Sequence, residues 1–252
     1  MCISWKNTSL SAASKHGERG FSNVEIITAL MILALVILTV AVTFYFVFGK
    51  TRYLRQENQI FNNATFAMQI ITKDVNEAIV TPRPGFVPVP LTESGQHDKL
   101  RFLGQRSTVS DELSGENSFQ RLTFSSLNSL KFENTFKNAP IQIVYYLDAK
   151  TDAAGGLILR RQTNRLPYPQ EFEPKASDPI LIGNIQSMRV VYYDANGTAF
   201  YDWDSEDPHS GFATPAMLEI SVTAGFSSEP FTLRTTIKLP CRRGATVFAE
   251  LP

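Results

Sequence analysis

The sequence has an uninterrupted apolar segment after a polar start. From Ile26 to Phe48 it holds 23 residues without a charged side chain. At 1.5 Å per residue, a helix of this length measures about 34 Å, enough to cross a bilayer core of roughly 30 Å. Irregular backbone cannot span a bilayer, because lipid offers no partners for free amide and carbonyl groups. The pattern predicts a transmembrane helix at residues 21–48.

Beyond Gly49 the apolar positions continue at helical spacing. Their heptad-like seam is Leu54, Phe61, Ala64, Met68, Ile71, Val75 and Ala78. Pro82 and Pro84 then end the helix, because proline lacks an amide donor and disfavours helix in the residue before it. We expect one helix over residues 22–79, whose half at residues 49–81 is amphipathic, periplasmic and packed on a globular domain.

From residue 98 the pattern changes to short strand-like runs between turn signals. The predicted strands are residues 98–103, 121–125, 141–147, 157–162, 185–193, 199–201, 217–224 and 231–239. Gly155-Gly156 and Asn196-Gly197 are expected at hairpins. No helical crossover separates the strands, so the sheet is expected to be antiparallel with one wet face. The predicted class is α+β, with residues 82–252 forming the β-rich domain.

Composition and charge narrow the function classes. The protein of 252 residues is 43% hydrophobic and 19% charged, which fits a folded protein. Its 24 acidic and 24 basic residues give a net charge of zero, so no nucleic-acid partner is expected. Cys2 and Cys241 do not form a paired metal motif. We interpret Cys241 as a small buried apolar residue near the last strand.

Two general interpretations of the apolar segment differ in its processing. A secretory signal has a shorter apolar stretch and a small-x-small cut site, whereas Gly49-Lys50-Thr51-Arg52 follows this one. A signal anchor fits better. Basic residues lie on both sides, so the positive-inside rule leaves the orientation open.

The junction before the apolar segment reads Arg19-Gly20-Phe21-Ser22-Asn23-Val24-Glu25. It resembles the processing site of type IV prepilins and type II secretion pseudopilins. The resemblance implies that a prepilin peptidase and methyltransferase cuts after Gly20 on the cytoplasmic side, so that residues 1–20 form a leader. It implies N-methylation of Phe21 and places Glu25 where the family carries a glutamate. It also implies a single pass through the bacterial inner membrane, with the C-terminal domain in the periplasm.

The position of Glu25 supports processing after Gly20 on physical grounds as well. A carboxylate at the hydrocarbon edge costs about 2.5–3.5 kcal/mol, so it usually has a partner. Cleavage would create one, the free amine of Phe21, on the same helix or on a neighbouring subunit. Such a buried pair would form an assembly salt bridge and set the stagger between subunits. The alternative is a glutamate that merely sits at the membrane interface.

The order of later motifs is similar to that of the J-type minor pseudopilin of type II secretion. The similar segments are residues 143–147, 159–163, 181–189, 192–197 and 235–240. The resemblance implies a two-sheet α+β domain at the tip of a pseudopilus, with I-type and K-type minor pseudopilins as partners. The polar segment 86–120 has no counterpart in this resemblance.

Candidate chemistry is sparse. No Gly-x-Ser-x-Gly, His-Glu-x-x-His or phosphate-loop motif is present, so we expect no enzyme and no cofactor. His97 and His209 lie in polar, turn-like contexts. Asp202 and Asp204 are weak calcium candidates, because oxygen ligands at alternate positions suit calcium. The glycine and glutamate of an EF-hand loop are missing, so a solvated acidic loop is the expectation for the acidic run Asp202, Asp204, Glu206 and Asp207.

Three function classes remain open. The first is a minor pseudopilin of a type II secretion system, which starts filament assembly and supports protein export. The second is a minor pilin of a type IV pilus, active in assembly, adhesion or DNA uptake, with Arg160, Arg161 and Arg165 as a weak basic patch. The third is a sensor with a signal anchor and an uncut leader.

Overall fold

The computed structural model describes residues 22–82, 85–88, 97–107, 118–127, 139–148, 156–169, 171–225 and 230–245. The protein forms two compact units, one ending at Tyr53 and one beginning at Leu54. The processing residues Gly20 and Phe21 lie outside the described residues. The structure therefore bears on the anchor from Ser22 onward and on the sheet domain.

The first element, α1, is a helix over Asn23–Asn76. It ends three residues before the predicted boundary and ahead of the prolines. The next residues, Ala78–Ile79, form a short strand that pairs with Ser125 and Ser126. The Ser126 hydroxyl also donates to the carbonyl of Glu77 at 3.1 Å. The helix stops early because sheet pairing replaces helical hydrogen bonds at this point.

Ten strands follow α1 within the described ranges. They are β1 Ala78–Ile79, β2 Leu103–Arg106, β3 Phe119–Ser126, β4 Ile141–Asp148, β5 Leu157–Asn164, β6 Ile180–Tyr193, β7 Ala199–Phe200, β8 Trp203–Asp204, β9 Met217–Ala224 and β10 Phe231–Lys238. Their pairings are antiparallel. The predicted α+β class, an apolar N-terminal helix followed by an antiparallel sheet, is confirmed.

The strands join in one sheet, and the expected two-sheet arrangement is wrong in this respect. The order is β10-β9-β6-β5-β4-β3-β2-β8, with β1 on β3 and β7 on β6. The reason is the 14-residue strand β6. Its first half pairs with β5 and its second half with β9, with Ile185 paired to both. A register shift follows Ile185, and Asn184 has a φ of 53°. One long irregular strand therefore connects what the sequence suggests as separate sheets.

The core of the second unit lies between the buried face of α1 and one face of the sheet. On α1, Ala64, Met68, Ile71 and Val75 are buried, which confirms most of the predicted seam. On β9 the buried positions alternate and are Leu218, Ile220, Val222 and Ala224. The period of two places these four side chains on one face of the sheet. The apolar stripe of α1 is core packing for this domain.

Two predicted strands begin five residues away from the observed ones, and the others differ by at most two residues at either end. The first begins at Leu103 instead of residue 98, because Asp98 and Phe102 bond to the loop after β8. Phe102 N–H donates to the Ser205 hydroxyl at 2.9 Å, for example. The strand β6 begins at Ile180, five residues before the prediction. The Asn196-Gly197 hairpin is confirmed, since Gly197 has a φ of 86° and Tyr193 pairs with Ala199.

Candidate functional site

Within residues 22–49 of the first unit, one carboxylate lies on an apolar helix. Among the described residues, Asn23–Gly49 is the one helix long and apolar enough to span a membrane, with a mean hydropathy of 2.8 and none of it buried. Large apolar side chains such as Met31 are exposed along its length. Water does not favour such a surface, so the helix needs lipid or other helices around it.

Glu25 lies in the first turn of this helix. Its N–H donates to the carbonyl of Ser22 at 2.9 Å, and its carbonyl accepts from the Thr28 hydroxyl at 2.9 Å. Its side chain is exposed, and no other charged residue occurs from Ser22 to Gly49. A negative charge at this end is favourable with respect to the helix dipole. The assembly salt bridge of Glu25 stays a prediction, because the amine it needs belongs to Phe21.

The calcium candidates Asp202 and Asp204 have different surroundings. Asp202 is exposed. Asp204 forms a two-pronged ion pair with Arg101, whose Nε donates to Oδ1 at 2.9 Å. The Asp204 Oδ1 atom also accepts from the N–H of Glu206 at 3.0 Å. Within the described ranges, no group of three or more His, Cys, Asp or Glu side chains is arranged to hold a metal ion.

The expectation of a solvated acidic loop is wrong for Glu206, although Asp202 is exposed. Glu206 is 7% exposed, and its carboxylate accepts from the N–H of Asp98 at 2.5 Å. His97 Nδ1 lies 2.5 Å from Glu206 Oε2, and Arg101 Nε lies 3.2 Å from the same oxygen. The prediction fails here because the partners lie about a hundred residues earlier in the sequence, where no local pattern reveals them. His209 is exposed, as expected.

Arg243 holds the loops at this end of the sheet together. Its guanidinium donates to the carbonyls of Phe212 at 2.6 Å and Ser205 at 2.5 Å. It also lies 3.3 Å from Asp98 Oδ2 and 3.4 Å from the ring centre of Phe86. Arg243 is 3% exposed. No motif singles it out in the sequence.

A second buried charge pair connects α1 to the sheet. Arg161 Nε donates to Asp74 Oδ2 at 2.7 Å, and the Tyr145 hydroxyl donates to the same oxygen. Burial raises the pKa of Tyr145 well above its ordinary value, and the charge of Asp74 adds to the rise. Burial works against the charge of Arg161, but the hydrogen bond and charge of Asp74 leave its pKa raised.

The burial of Arg160 and Arg161 contradicts the basic patch that the sequence suggests. Arg161 is 4% exposed and Arg160 is 8% exposed, and they point to opposite faces of the sheet. Arg160 Nε lies 2.9 Å from Asp148 Oδ2. Arg165 is exposed. Since two of the three arginines are buried and neutralised, the trio does not form a surface for nucleic acid.

Comparisons with known proteins add little to these contacts. No known protein-family model matches the sequence, and no curated protein matches it significantly. Among solved structures, the protein is similar to a type IV-like pilin from Thermus thermophilus, with a TM-score of 0.39 and 8% identity. That similarity covers 72% of this protein and 97% of the other. Function is therefore inferred from the residues described above.

Proposed function

We propose that this protein is a minor pseudopilin of a type II secretion system, which acts by assembly and catalyses no reaction. One observation supports the processing and assembly that this proposal requires. A single carboxylate, Glu25, lies in the first turn of an otherwise uncharged, unburied apolar helix, directly after the Gly20-Phe21 junction. This combination provides both a site for processing and a reason for it, since cleavage supplies a cation for a carboxylate in a costly place.

The proposed sequence of events follows from that chemistry. The prepilin peptidase and methyltransferase cuts between Gly20 and Phe21 and N-methylates Phe21. Before assembly the helix spans the inner membrane, with its N-terminus in the cytoplasm and the sheet domain in the periplasm. Helices of I-type and K-type minor pseudopilins and of other pseudopilus subunits then pack against the apolar stripe at residues 26–48. The subunit enters the tip of the filament and supports export across the outer membrane.

The contribution of Glu25 is tested by comparing Glu25→Leu with Thr39→Val, a control on the exposed surface of the same helix. Each full-length variant is expressed with its partner subunits and recovered from membranes by cross-linking. Both variants are expected to insert, because removing the carboxylate saves about 2.5–3.5 kcal/mol of insertion cost. Glu25→Leu is expected to lose the cross-linked complex and Thr39→Val to keep it. Normal assembly of Glu25→Leu would rule out the salt bridge.

The alternative, a minor pilin of a type IV pilus, shares the same anchor and the same processing. Burial of Arg160 and Arg161 removes the feature that favoured DNA uptake. Capture of the native protein with its tip partners separates the two systems. Recovery of I-type and K-type minor pseudopilins supports the secretion system, whereas recovery of major pilin subunits supports the pilus.

A further inference from the structure

The face of the sheet that points away from α1 contains a pocket of about 380 Å³. Leu122 and Tyr145 lie in the core on the α1 side, and the Tyr145 hydroxyl bonds to Asp74 of the helix. Side chains alternate along a strand, so the next residues, Arg121 and Tyr146, point to the opposite face. These two residues pair directly across β3 and β4. They form the floor of the pocket.

Arg121 is the unusual residue in this pocket. Its guanidinium lies over the ring of Phe172, 4.7 Å from the ring centre. Its Nε is buried and donates no hydrogen bond. Among the described residues, no carboxylate forms an ion pair with Arg121. Burial, followed by the charge of Arg101, lowers the pKa of Arg121, which is the direction expected for a cation without a counter-charge.

Three buried arginines of this domain differ from Arg121 because each has a carboxylate partner. Arg160, Arg161 and Arg243 each lie within 3.3 Å of a carboxylate oxygen. Asp148 lines the same pocket as Arg121, but its Oδ2 is already 2.9 Å from Arg160 Nε. A partly buried cation is costly unless it is paired. The pocket therefore holds one positive charge that the described residues leave without a counter-charge.

The remaining lining indicates what would complete the site. Gln105 and Gln120 offer amide donors beside Arg121, while Leu147, Phe172 and Pro174 supply apolar surface. Arginine binds carboxylates through two parallel hydrogen bonds. The apolar wall suits a short aliphatic stem. A glutamate or aspartate side chain, or the C-terminal residue of a protein, has both parts.

We propose that this pocket is a docking site for a carboxylate displayed by a partner protein, with Arg121 as its counter-charge. A protein fits better than a free small acid, because one half-exposed ion pair contributes little by itself and needs surrounding contacts to hold its ligand. The site goes beyond the proposed function, since it lies on the sheet domain and requires neither cleavage at Gly20 nor the charge of Glu25. Arg121 therefore identifies a partner-facing surface of the domain.

The test uses the full-length protein in detergent and two labelled, end-capped peptides, Gly-Leu-Glu-Leu-Gly and its Gln counterpart. Fluorescence anisotropy compares wild type, Arg121→Gln, Arg121→Lys and the control Arg189→Gln, which changes an exposed arginine on β6. Wild type and Arg189→Gln are expected to prefer the Glu peptide by about twofold to fivefold, which corresponds to one half-exposed ion pair. Arg121→Gln is expected to lose the preference and Arg121→Lys to keep a fraction of it.

Two results would overturn the proposal. The first is a wild-type protein without preference for the Glu peptide, or a preference that survives Arg121→Gln. The second is a preference that appears only after Asp111, Glu112 and Glu116, the acidic residues between β2 and β3 in the sequence, are replaced together by their amides, which would mean that the protein itself supplies the carboxylate. Folding of each variant is checked by thermal unfolding, and Arg121→Gln is expected to be no less stable than wild type, because it removes an unpaired charge. None of these measurements depends on whether the leader is cut.

Discussion

Arg161 on β5 and Asp74 on α1 form an ion pair across the core of the sheet domain, with 2.7 Å between Arg161 Nε and Asp74 Oδ2. Asp74 is fully buried and Arg161 is 4% exposed. Taking two charges out of water is costly, and their attraction repays that cost only in good geometry with further hydrogen bonds. Tyr145 and Thr163 supply such bonds. The pair therefore connects α1 to β5 inside the core.

Removing one partner of this pair is expected to destabilise the domain strongly. Asp74→Asn leaves the guanidinium of Arg161 buried without its counter-charge, and we expect a loss of about 3–5 kcal/mol in the free energy of unfolding. Asp202→Asn, which changes an exposed carboxylate, is the matched control and should stay within about 0.5 kcal/mol. Urea unfolding followed by tryptophan fluorescence measures both. Equal stability of the two variants would show that the pair has no structural role.

The buried tyrosines predict a loss of stability at alkaline pH. Burial, with the hydrogen bond and charge of Asp178, raises the pKa of Tyr146 to about 12, and burial also raises the pKa of Tyr145 and Tyr192. The unfolded protein releases these protons near pH 10. It then binds fewer protons than the folded protein, so the free energy of unfolding falls as the pH rises above 10.

For Tyr146 the expected slope is at most about 1.4 kcal/mol per pH unit between pH 10 and 12, and Tyr145 and Tyr192 change the stability in the same direction. Urea unfolding at several pH values measures this slope. Tyr146→Phe removes one ionisable group and should reduce the slope by the contribution of that group. Absorbance at 295 nm follows phenol ionisation directly in the folded protein. Complete titration of all eight tyrosines near pH 10, without unfolding, would contradict this prediction.

The close approach of Gly104 and Tyr192 predicts that the glycine tolerates no side chain. A methyl group at Gly104 would lie 2.1 Å from the Tyr192 hydroxyl oxygen and 2.2 Å from its Cζ. Tyr192 is fully buried, so its ring has no space to move aside. Gly104→Ala is expected to cost about 1–3 kcal/mol of unfolding free energy.

The control for this prediction is Gly244→Ala, since a methyl group there would have no atom within 4 Å. Thermal unfolding of both variants measures the difference. Tyr192→Leu should reduce the effect of Gly104→Ala in a double-mutant cycle, because it removes the atoms that clash. Additive effects of the two changes would mean that the destabilisation has another origin.

The contacts of Arg243 predict that lysine cannot replace arginine at this position. The planar guanidinium donates to the carbonyls of Phe212 and Ser205, forms an ion pair with Asp98 and stacks on Phe86. An ammonium group reaches fewer of these acceptors and leaves buried carbonyls unpaired. We expect Arg243→Lys to lose about 2–3 kcal/mol of unfolding free energy and Arg242→Lys, an exposed neighbour, to lose almost none. Faster proteolysis of Arg243→Lys alone would support this, and equal rates would refute it.

Local patterns in the sequence identify most elements of the fold, but not the two-residue strands β1 and β8. The helical spacing of Ala64, Met68, Ile71 and Val75 identifies the buried face of α1, and alternation identifies β9 residue for residue. These signals work because burial on one face imposes the period of the element itself. The single sheet is not predictable in this way, since it depends on how far β6 extends before Ile185.

The charged residues cannot be assigned from local patterns. Arg160 and Arg161 suggest one patch because they are neighbours, yet strand geometry sends them to opposite faces, and both faces are covered. Glu206 suggests a solvated position because its run is acidic, yet His97 and Arg101 contact it from across the fold. Ion pairs between distant residues produce no periodic pattern in the sequence. Arg121 can therefore be identified only from the structure, where it has no such partner among the described residues.

The proposed function depends most on cleavage at one peptide bond, which creates the amine that Glu25 needs. Intact-mass and N-terminal peptide mass spectrometry of the native, membrane-extracted protein tests this most directly. We predict a mature protein that begins with N-methylated Phe21 and lacks residues 1–20. A native membrane protein that still carries Met1 and the uncut Gly20–Phe21 bond would contradict it.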